Sequence, residues 1–362
     1  MGIQENIPLA PLTTLKIGGP ARYFAEAKNL DDVQVAVGFA RSRKVPLFVL
    51  GGGSNLVVAE RGFAGLVLKI AIEGMELRED GADDKVHLAV GAGQSWDHLV
   101  SHAVMADCSG IECLSGIPGS VGGTPVQNVG AYGQEVSETI SSVTALDLSD
   151  GQVRALSNAD CGFHYRASIF NTTERDRYII LGVTFALTPG GKARIAYDDL
   201  KRHFAGWQSP PTLAETREAV RHIRARKGML LVPGDPDCQS AGSFFKNPVV
   251  SAEELDKLRQ RAARKGFSLP AYPGLQNQHK ISAAWLVEHS GFSKGYGFGK
   301  VGISHKHALA LVNRGGASAS ELIELKNEIQ DRVQQLWGIR LQPEPVMLGF
   351  PPPMDLPNDD RS

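Results

Sequence analysis

An apolar run, Val45-Pro46-Leu47-Phe48-Val49-Leu50, ends in three consecutive glycines, Gly51-Gly52-Gly53, and a second apolar run, Leu56-Val57-Val58, comes directly after Ser54-Asn55. The first run reads as a buried strand, because short Val- and Leu-rich segments bounded by glycine favour extended structure. Glycine can take positive φ and lets backbone approach a ligand with no Cβ in the way. Consecutive N–H groups in such a loop form a concave nest that suits a phosphate or pyrophosphate. Ser54 and Asn55 can add side-chain hydrogen bonds to the same oxygens. A tight hairpin turn is the competing reading of the glycines alone.

The residues after the loop exclude one nucleotide fold. A Rossmann fingerprint needs a helix to begin at the glycines and an acidic ribose partner about twenty residues on. Here Gly65-Leu66-Val67-Leu68-Lys69-Ile70 is another extended run, separated from the first by Arg61-Gly62. Strand, glycine loop, strand is not a nicotinamide-dinucleotide domain. The arrangement resembles the first subdomain of the flavoenzyme fold shared by vanillyl-alcohol-oxidase-like enzymes. That resemblance, and not the spacing, implies FAD pyrophosphate lying along Gly51, Gly52, Gly53, Ser54 and Asn55.

At 362 residues the chain exceeds what one compact core usually supports, so two or three domains are expected. A strand is expected near Ala21 to Ala25. Asn29 then caps a helix from about Leu30 to Arg41, with Asp31 and Asp32 near its positive end. With the Val45–Leu50 strand this makes a βαβ-like unit that presents the glycine loop. From about Ile70 the chain turns to short strands: Val86 to Val90, Val143 to Leu148, Val153 to Leu156 and Tyr178 to Leu187. Gly91-Ala92-Gly93-Gln94-Ser95-Trp96-Asp97 leads into a helix. A second glycine-rich loop runs from Ser115 to Gly133 with hardly a charge, which fits backbone folded closely around a large ligand better than a solvated linker. A more helical section begins near Leu231. Ser251-Ala252-Glu253-Glu254 and Ser318-Ala319-Ser320-Glu321 are capping boxes that open two helices, the second running to Gly338. The proline-rich end, residues 350–362, is expected to be disordered.

Lys and Arg number 38 against 39 Asp and Glu, so no global field favours nucleic acid or an anionic membrane. Anionic ligands must be held by local cations. The N-terminus lacks the basic flank and apolar core of a signal peptide, and the longest apolar run, Tyr178 to Leu187, is too short to span a bilayer. Cys108, Cys113, Cys161 and Cys238 have neither zinc-site nor redox-pair spacing and read as reduced, buried thiols. His305 and His307 are a close pair that a strand would place on one face, with no spaced carboxylate or Cys to complete a metal site.

Four further segments complete a pattern: Tyr165-Arg166-Ala167-Ser168-Ile169-Phe170, Ala196-Tyr197-Asp198-Asp199-Leu200, Ala241-Gly242-Ser243-Phe244-Phe245-Lys246-Asn247-Pro248 and Gln342-Pro343-Glu344-Pro345. With the two glycine loops they resemble the UDP-N-acetylenolpyruvoylglucosamine reductase (MurB) family, flavoproteins of bacterial cell-wall synthesis. The resemblance runs in order from Leu12 to about Leu348, and Gly242–Pro248 is specific on its own. It implies an α+β, three-subdomain flavoenzyme: a vanillyl-alcohol-oxidase-like (PCMH-type) FAD-binding fold plus a C-terminal α/β substrate domain. The expected divisions are 1–70, with a strand around 344–349 returning to it, 71–228, and 229–343 for substrate. It further implies non-covalent FAD held also by Ser115, Gly116, Ile117, Pro118, Gly119, Gly122, Gly123, Asn128, Gly130, Ala131 and Tyr132. It implies NADPH as co-substrate and UDP-N-acetylglucosamine enolpyruvate as substrate, in the cytoplasm; no metal, nucleic acid or membrane is expected, and no obligate protein partner is evident.

Three residues carry the implied chemistry. Arg166 offers a planar guanidinium suited to a carboxylate, although an ordinary ion pair is the commoner fate of an arginine. Ser243 comes after Ala241 and Gly242, which leave room for a ligand, although such a serine more often bonds its own turn. Glu344 is expected just beyond a short strand, Ile339–Leu341, aimed by Pro343 and Pro345. The resemblance implies that NADPH reduces FAD and leaves, and that the flavin then reduces the enol ether in the same cleft. Arg166 and protonated Glu344 would stabilise the developing charge, and Ser243 would deliver the proton. Tyr197, Lys227 and Asn247 match positions that hold the diphosphate, although the stretch after Lys227, Gly228 to Gln239, is longer than the pattern. The long interval between Arg166 and Ser243, with Tyr197 in it, resembles the family's longer form, whose tyrosine-bearing loop closes over substrate. Rival readings are a flavin oxidase of the same superfamily acting on a small alcohol or sugar, and a flavin- or nucleotide-sugar-binding protein without catalysis.

Overall fold

The computed structural model describes residues 1–78, 84–274, 277–297 and 299–351. Beyond Pro351 the proline-rich end expected to be disordered lies outside the described residues. The chain opens with β1 (Gln4–Pro8), β2 (Pro20–Ala27), α1 (Leu30–Arg43), β3 (Leu47–Leu50), β4 (Leu56–Val58) and β5 (Phe63–Ile70). Asn29 caps α1, its Oδ1 accepting the Asp32 N–H at 2.9 Å, and Lys44 ends it at φ 53°. The helix buries Val33, Ala36, Val37 and Ala40, as its 3.6-residue spacing requires.

The βαβ-like unit differs from expectation in one respect. The sheet order is β1-β2-β5-β3, so β5 lies between β2 and β3 and pairs parallel with both. The detour through β4 returns the chain to the gap that α1 leaves between β2 and β3. That puts Gly51–Asn55 at the edge of the sheet.

The middle of the chain supplies β6 (Met75–Arg78), β7 (Val86–Gly91), α2 (Trp96–Met105), β8 (Cys108–Ser109), β9 (Gly130–Ala131), β10 (Gln134–Glu135), β11 (Ile140–Asp147), β12 (Val153–Ser157), β13 (Tyr178–Pro189), α3 (Asp198–His203) and α4 (Leu213–Arg226). Strands β12-β11-β13-β7-β6 form an antiparallel sheet in that order, and β8 pairs with the far end of β13. Trp96 locks α2 onto this sheet. It is fully buried against Phe185, and its Nε1–H donates to Leu114 O at 3.0 Å.

The last part contains β14 (Ser240–Ser243), β15 (Val249–Val250), α5 (Ala252–Ala263), β16 (Ala271–Pro273), β17 (His279–Ile281), α6 (Ala283–Glu288), β18 (Val301–Ile303), β19 (Ala310–Asn313), α7 (Ala319–Trp337) and β20 (Val346–Leu348). Two three-stranded antiparallel sheets, β14-β19-β18 and β15-β17-β16, pack with the helices. Reciprocal bonds between Ser318 and Glu321 open α7, Gly338 at φ 75° closes it, and Leu322, Leu325, Ile329 and Val333 lie buried on one face. The strand expected at Ile339–Leu341 is absent. Those residues have no ladder partner: Leu341 O takes the Gln330 amide at 2.6 Å instead, and only Pro343 bridges to Phe245. The chain then crosses back, and β20 pairs parallel with β4.

All four cysteines are free and buried. Among the described residues no helix is long and apolar enough to cross a membrane, and no group of three or more His, Cys, Asp or Glu could hold a metal ion.

Candidate functional site

A cavity of about 1500 Å³ lies between the two glycine loops, the end of α4, β14 and the segment Pro343–Leu348. Its walls are brought close by glycine, though less through positive φ than the sequence suggests. Of the three loop glycines only Gly53 has φ in the left-handed region, at 64°. A Cβ on Gly52 would stand 2.5 Å from Gly119 Cα, and one on Gly51 would stand 2.8 Å from Ser120 Oγ. The two loops therefore touch backbone to backbone, and any side chain would wedge them apart.

This crevice fits FAD. The walls present backbone and hydroxyl groups, with Ile117 and Pro118 on one side, and the buried Ser120 Oγ beside Gly51 has no hydrogen-bond partner in the protein. A phosphate-bearing ligand would give such a group an acceptor. The residues that would hold the pyrophosphate are Gly51, Gly52, Gly53 and Ser54 on one side and Ile117, Pro118, Gly119, Gly122 and Gly123 on the other. All of these line the cavity, as do Asn55, Gly130, Ala131 and Tyr132.

Ser115, Gly116 and Asn128 do not line it. Ser115 is fully buried and donates to Glu112 O at 2.6 Å. Gly116 N–H donates to Asp97 Oδ1 at 2.6 Å, and Asp97 also accepts a bidentate pair from Arg217 and one bond from Arg221. Asn128 donates to Glu135 Oε2 and His164 O and accepts from Ser137 N. These three brace the loop from behind.

Arg166, Ser243 and Glu344 all face the cavity. Arg166 occupies the left-handed region at φ 55°, an uncommon place for a non-glycine residue. Its Nη2 donates to Gly130 O at 2.8 Å, and its Nε stands 3.1 Å from Glu344 Oε1, an ion pair without hydrogen-bond alignment. Glu344 is fixed at both backbone ends: its N–H donates to Phe244 O at 2.9 Å, and its carbonyl accepts Asn55 Nδ2 at 3.2 Å. Gln127 Nε2 donates to its Oε1 at 3.3 Å. Burial pushes the carboxyl above the ordinary carboxylate range, against the opposing pull of Arg166 and Lys246. Ser243, opposite Ala310, immediately precedes the Phe244 that holds Glu344.

The polar end of the cavity gathers Tyr132, Tyr197 and Lys227. The Tyr132 and Tyr197 rings meet edge to face at 5.5 Å, and Lys227 Nζ stands 5.7 and 5.9 Å from their centroids while paired with Asp199. Asn247 Oδ1 accepts the Ala283 N–H at 2.9 Å, which orients the amide and leaves its N–H groups for a ligand.

His305 and His307 lie in the turn between β18 and β19 and not on a strand. His305 leans on Asp237, whereas His307 lines the cavity, its Nδ1 accepting the Leu309 N–H and its titration pulled down to about 4 by burial and by Lys227 and Lys294. Sequence reasoning also passed over Gln127, Ser120 and Lys280, whose Nζ sits 4.3 Å from the Tyr165 ring centroid. Nothing local marks them, since each is defined by what the fold brings opposite.

Two family models match the chain: an FAD binding domain over residues 21–157, and the C-terminal domain of UDP-N-acetylenolpyruvoylglucosamine reductase over residues 235–348. The reductase of Thermobifida fusca is 48% identical over 353 residues, spanning 95% of this chain and 98% of that protein. That of Streptomyces coelicolor is 47% identical over 357 residues, 96% and 91% of the two chains. The crystal structure of the Thermus caldophilus enzyme superimposes with a TM-score of 0.64 at 26% identity, covering 96% of this chain and 100% of that one. Aligned at this identity along nearly its whole length, the chain belongs to the UDP-N-acetylenolpyruvoylglucosamine reductase (MurB) family.

Proposed function

We propose that this chain reduces UDP-N-acetylglucosamine enolpyruvate to UDP-N-acetylmuramate with NADPH, through non-covalently bound FAD, as a cytoplasmic step of peptidoglycan synthesis. FAD bound along the two glycine loops supplies the two-electron step that couples NADPH oxidation to reduction of the enolpyruvyl double bond. In this reading residues 1–228, with the strand around 344–349, hold the flavin, and 229–343 hold the nucleotide sugar.

The observation that carries the reading is the convergence of Arg166, Ser243 and Glu344, from three distant segments, on one wall of the cavity. Arg166 binds the substrate carboxylate and offsets negative charge that develops beside it. Glu344, whose carboxyl is pushed up by burial, is the acid that donates a hydrogen bond to the same region when protonated. The Ser243 hydroxyl delivers the proton to the second enolpyruvyl carbon. Lys227 and Tyr197, with the Asn247 amide, hold the diphosphate at the polar end. NADPH and the nucleotide sugar use the cavity in turn.

The test is NADPH oxidation by the purified yellow protein with and without UDP-N-acetylglucosamine enolpyruvate. Oxidation is expected only with the sugar nucleotide and yields UDP-N-acetylmuramate. Equal oxidation without it, with O₂ as acceptor, overturns the reading.

A further inference from the structure

We infer that Gln127 is a positioning residue that holds Glu344 with its proton on Oε2. The catalytic consequence rests on the acid role given to Glu344 above; the placement of the proton rests on hydrogen-bond geometry.

The chain of bonds begins on the glycine loop. Asn55 Nδ2 makes two donations, to Gln127 Oε1 at 2.9 Å and to Glu344 O at 3.2 Å. Both of its N–H groups are thereby used, and a flipped Asn55 amide would face two acceptors with an oxygen. Gln127 Oε1 must consequently face Asn55, which turns Gln127 Nε2 toward Glu344 Oε1 at 3.3 Å. Arg166 Nε lies 3.1 Å from the same oxygen, its N–H out of line but its charge beside it. An oxygen that faces an amide N–H and a guanidinium has no room for a proton of its own on that side. No described donor reaches Oε2, so whenever the carboxyl is protonated its proton sits there. The charged and titratable groups around this carboxyl are Arg166, Lys246 and the Tyr165 phenol.

An amide donor favours the ionised carboxyl over the neutral one. Removing it should raise the Glu344 titration midpoint by about one pH unit, which is about a tenfold gain in proton affinity. It should also release the proton to either oxygen.

The experiment is infrared difference spectroscopy of the holoenzyme across pH, with the neutral-carboxyl band of Glu344 assigned as the band lost in Glu344→Gln. In Gln127→Leu the band is expected to split or broaden, and its midpoint to rise by about one pH unit. The alkaline limb of flavin reoxidation by substrate should move with it. A band with unchanged shape and midpoint overturns the inference. If the band moves while the reoxidation limb stays, the placement of the proton stands and the acid role of Glu344 falls. Should Gln127→Leu fail to fold, Gln127→Glu serves. Its carboxylate repels that of Glu344, so the band should persist to higher pH than in the parent, and an equal midpoint overturns the inference.

Discussion

Arg166 Nε and Glu344 Oε1 meet at 3.1 Å although neither residue belongs to a helix or a strand. Each is instead pinned through its neighbours, Arg166 by Gly130 and Asn171, Glu344 by Phe244 and Asn55.

The pair has a consequence for stability. Burial raises the Glu344 carboxyl above its ordinary value, so the folded chain binds that proton more tightly than the unfolded chain does. Stability from this group is therefore full below the unfolded value and is lost as pH rises toward the folded one. Glu344→Gln removes the dependence. Its melting temperature relative to the parent is expected to be higher at about pH 8 than at about pH 5, each pH unit between the unfolded and folded values contributing about 1.4 kcal/mol. An equal difference at both pH values contradicts the assignment.

Ser243→Ala separates the half-reactions. Flavin reduction by NADPH needs only the orientation of two rings, whereas reduction of the enolpyruvyl group leaves a basic carbon to protonate. Stopped-flow traces should show near-normal bleaching with NADPH and reoxidation by substrate slowed on the order of 10²-fold or more. Ser243→Cys should recover part of the loss. Parent-like reoxidation by Ser243→Ala would remove the proton-donor role, and equal slowing of both steps would make the serine a structural residue.

Gly52→Ala tests the crevice. Its methyl group would stand 2.5 Å from Gly119 Cα, a distance that forces the two loops apart. The variant is expected to purify with little or no FAD, read from its visible absorbance. Parent-like flavin content would show that the loops do not form the pyrophosphate seat.

Tyr197 and Lys227 are expected to act on the nucleotide sugar alone. Tyr197→Phe keeps the ring against Tyr132 and loses only a hydroxyl, so KM for the sugar nucleotide should rise several-fold, by about one hydrogen bond's worth. Tyr197→Ala should raise it further. Flavin bleaching by NADPH should stay close to the parent rate in both. An unchanged KM in both variants would remove Tyr197 from the binding site.

Asp97 ties α2 to α4 behind the second loop. Burial raises its carboxyl, but the bonds from Arg217 and Gly116 outweigh this and hold it below the ordinary range. Such a group contributes stability above its unfolded value and loses it as pH falls through the folded one. Asp97→Asn is expected to cost about 1 to 3 kcal/mol in urea unfolding near neutral pH. The cost should shrink in acid, and a constant cost would rule out the ionised form as its source.

Elements with local causes were legible in the residues. Asn29 and Ser318 announce their helices because a cap bonds within a few residues of itself. Gly338 announces an end because a left-handed cap favours glycine. Pairing across distance was not legible. Nothing in Phe63–Ile70 says that it slips between β2 and β3, and Ile339–Leu341 has strand-like residues without a partner strand. The site divides similarly. Arg166, Ser243 and Glu344 were marked by the segments around them, whereas Gln127 matters only because Asn55 and Glu344 arrive on either side of it. Ser115, Gly116 and Asn128 share the loop's composition but face its back, an orientation that glycine density does not encode.

The parallel pairing of β20 with β4 gives the last strand of the described residues a place in the earliest part of the fold. Val346, Met347 and Leu348 wall the same cavity as Gly51–Asn55. During synthesis the glycine loop leaves the ribosome long before the strand that encloses it. A chain made only as far as α7 therefore has both glycine loops but lacks one wall of the flavin seat. The same holds for a protease that cuts ahead of Val346: it would strip the cofactor's wall without touching a residue of either glycine loop.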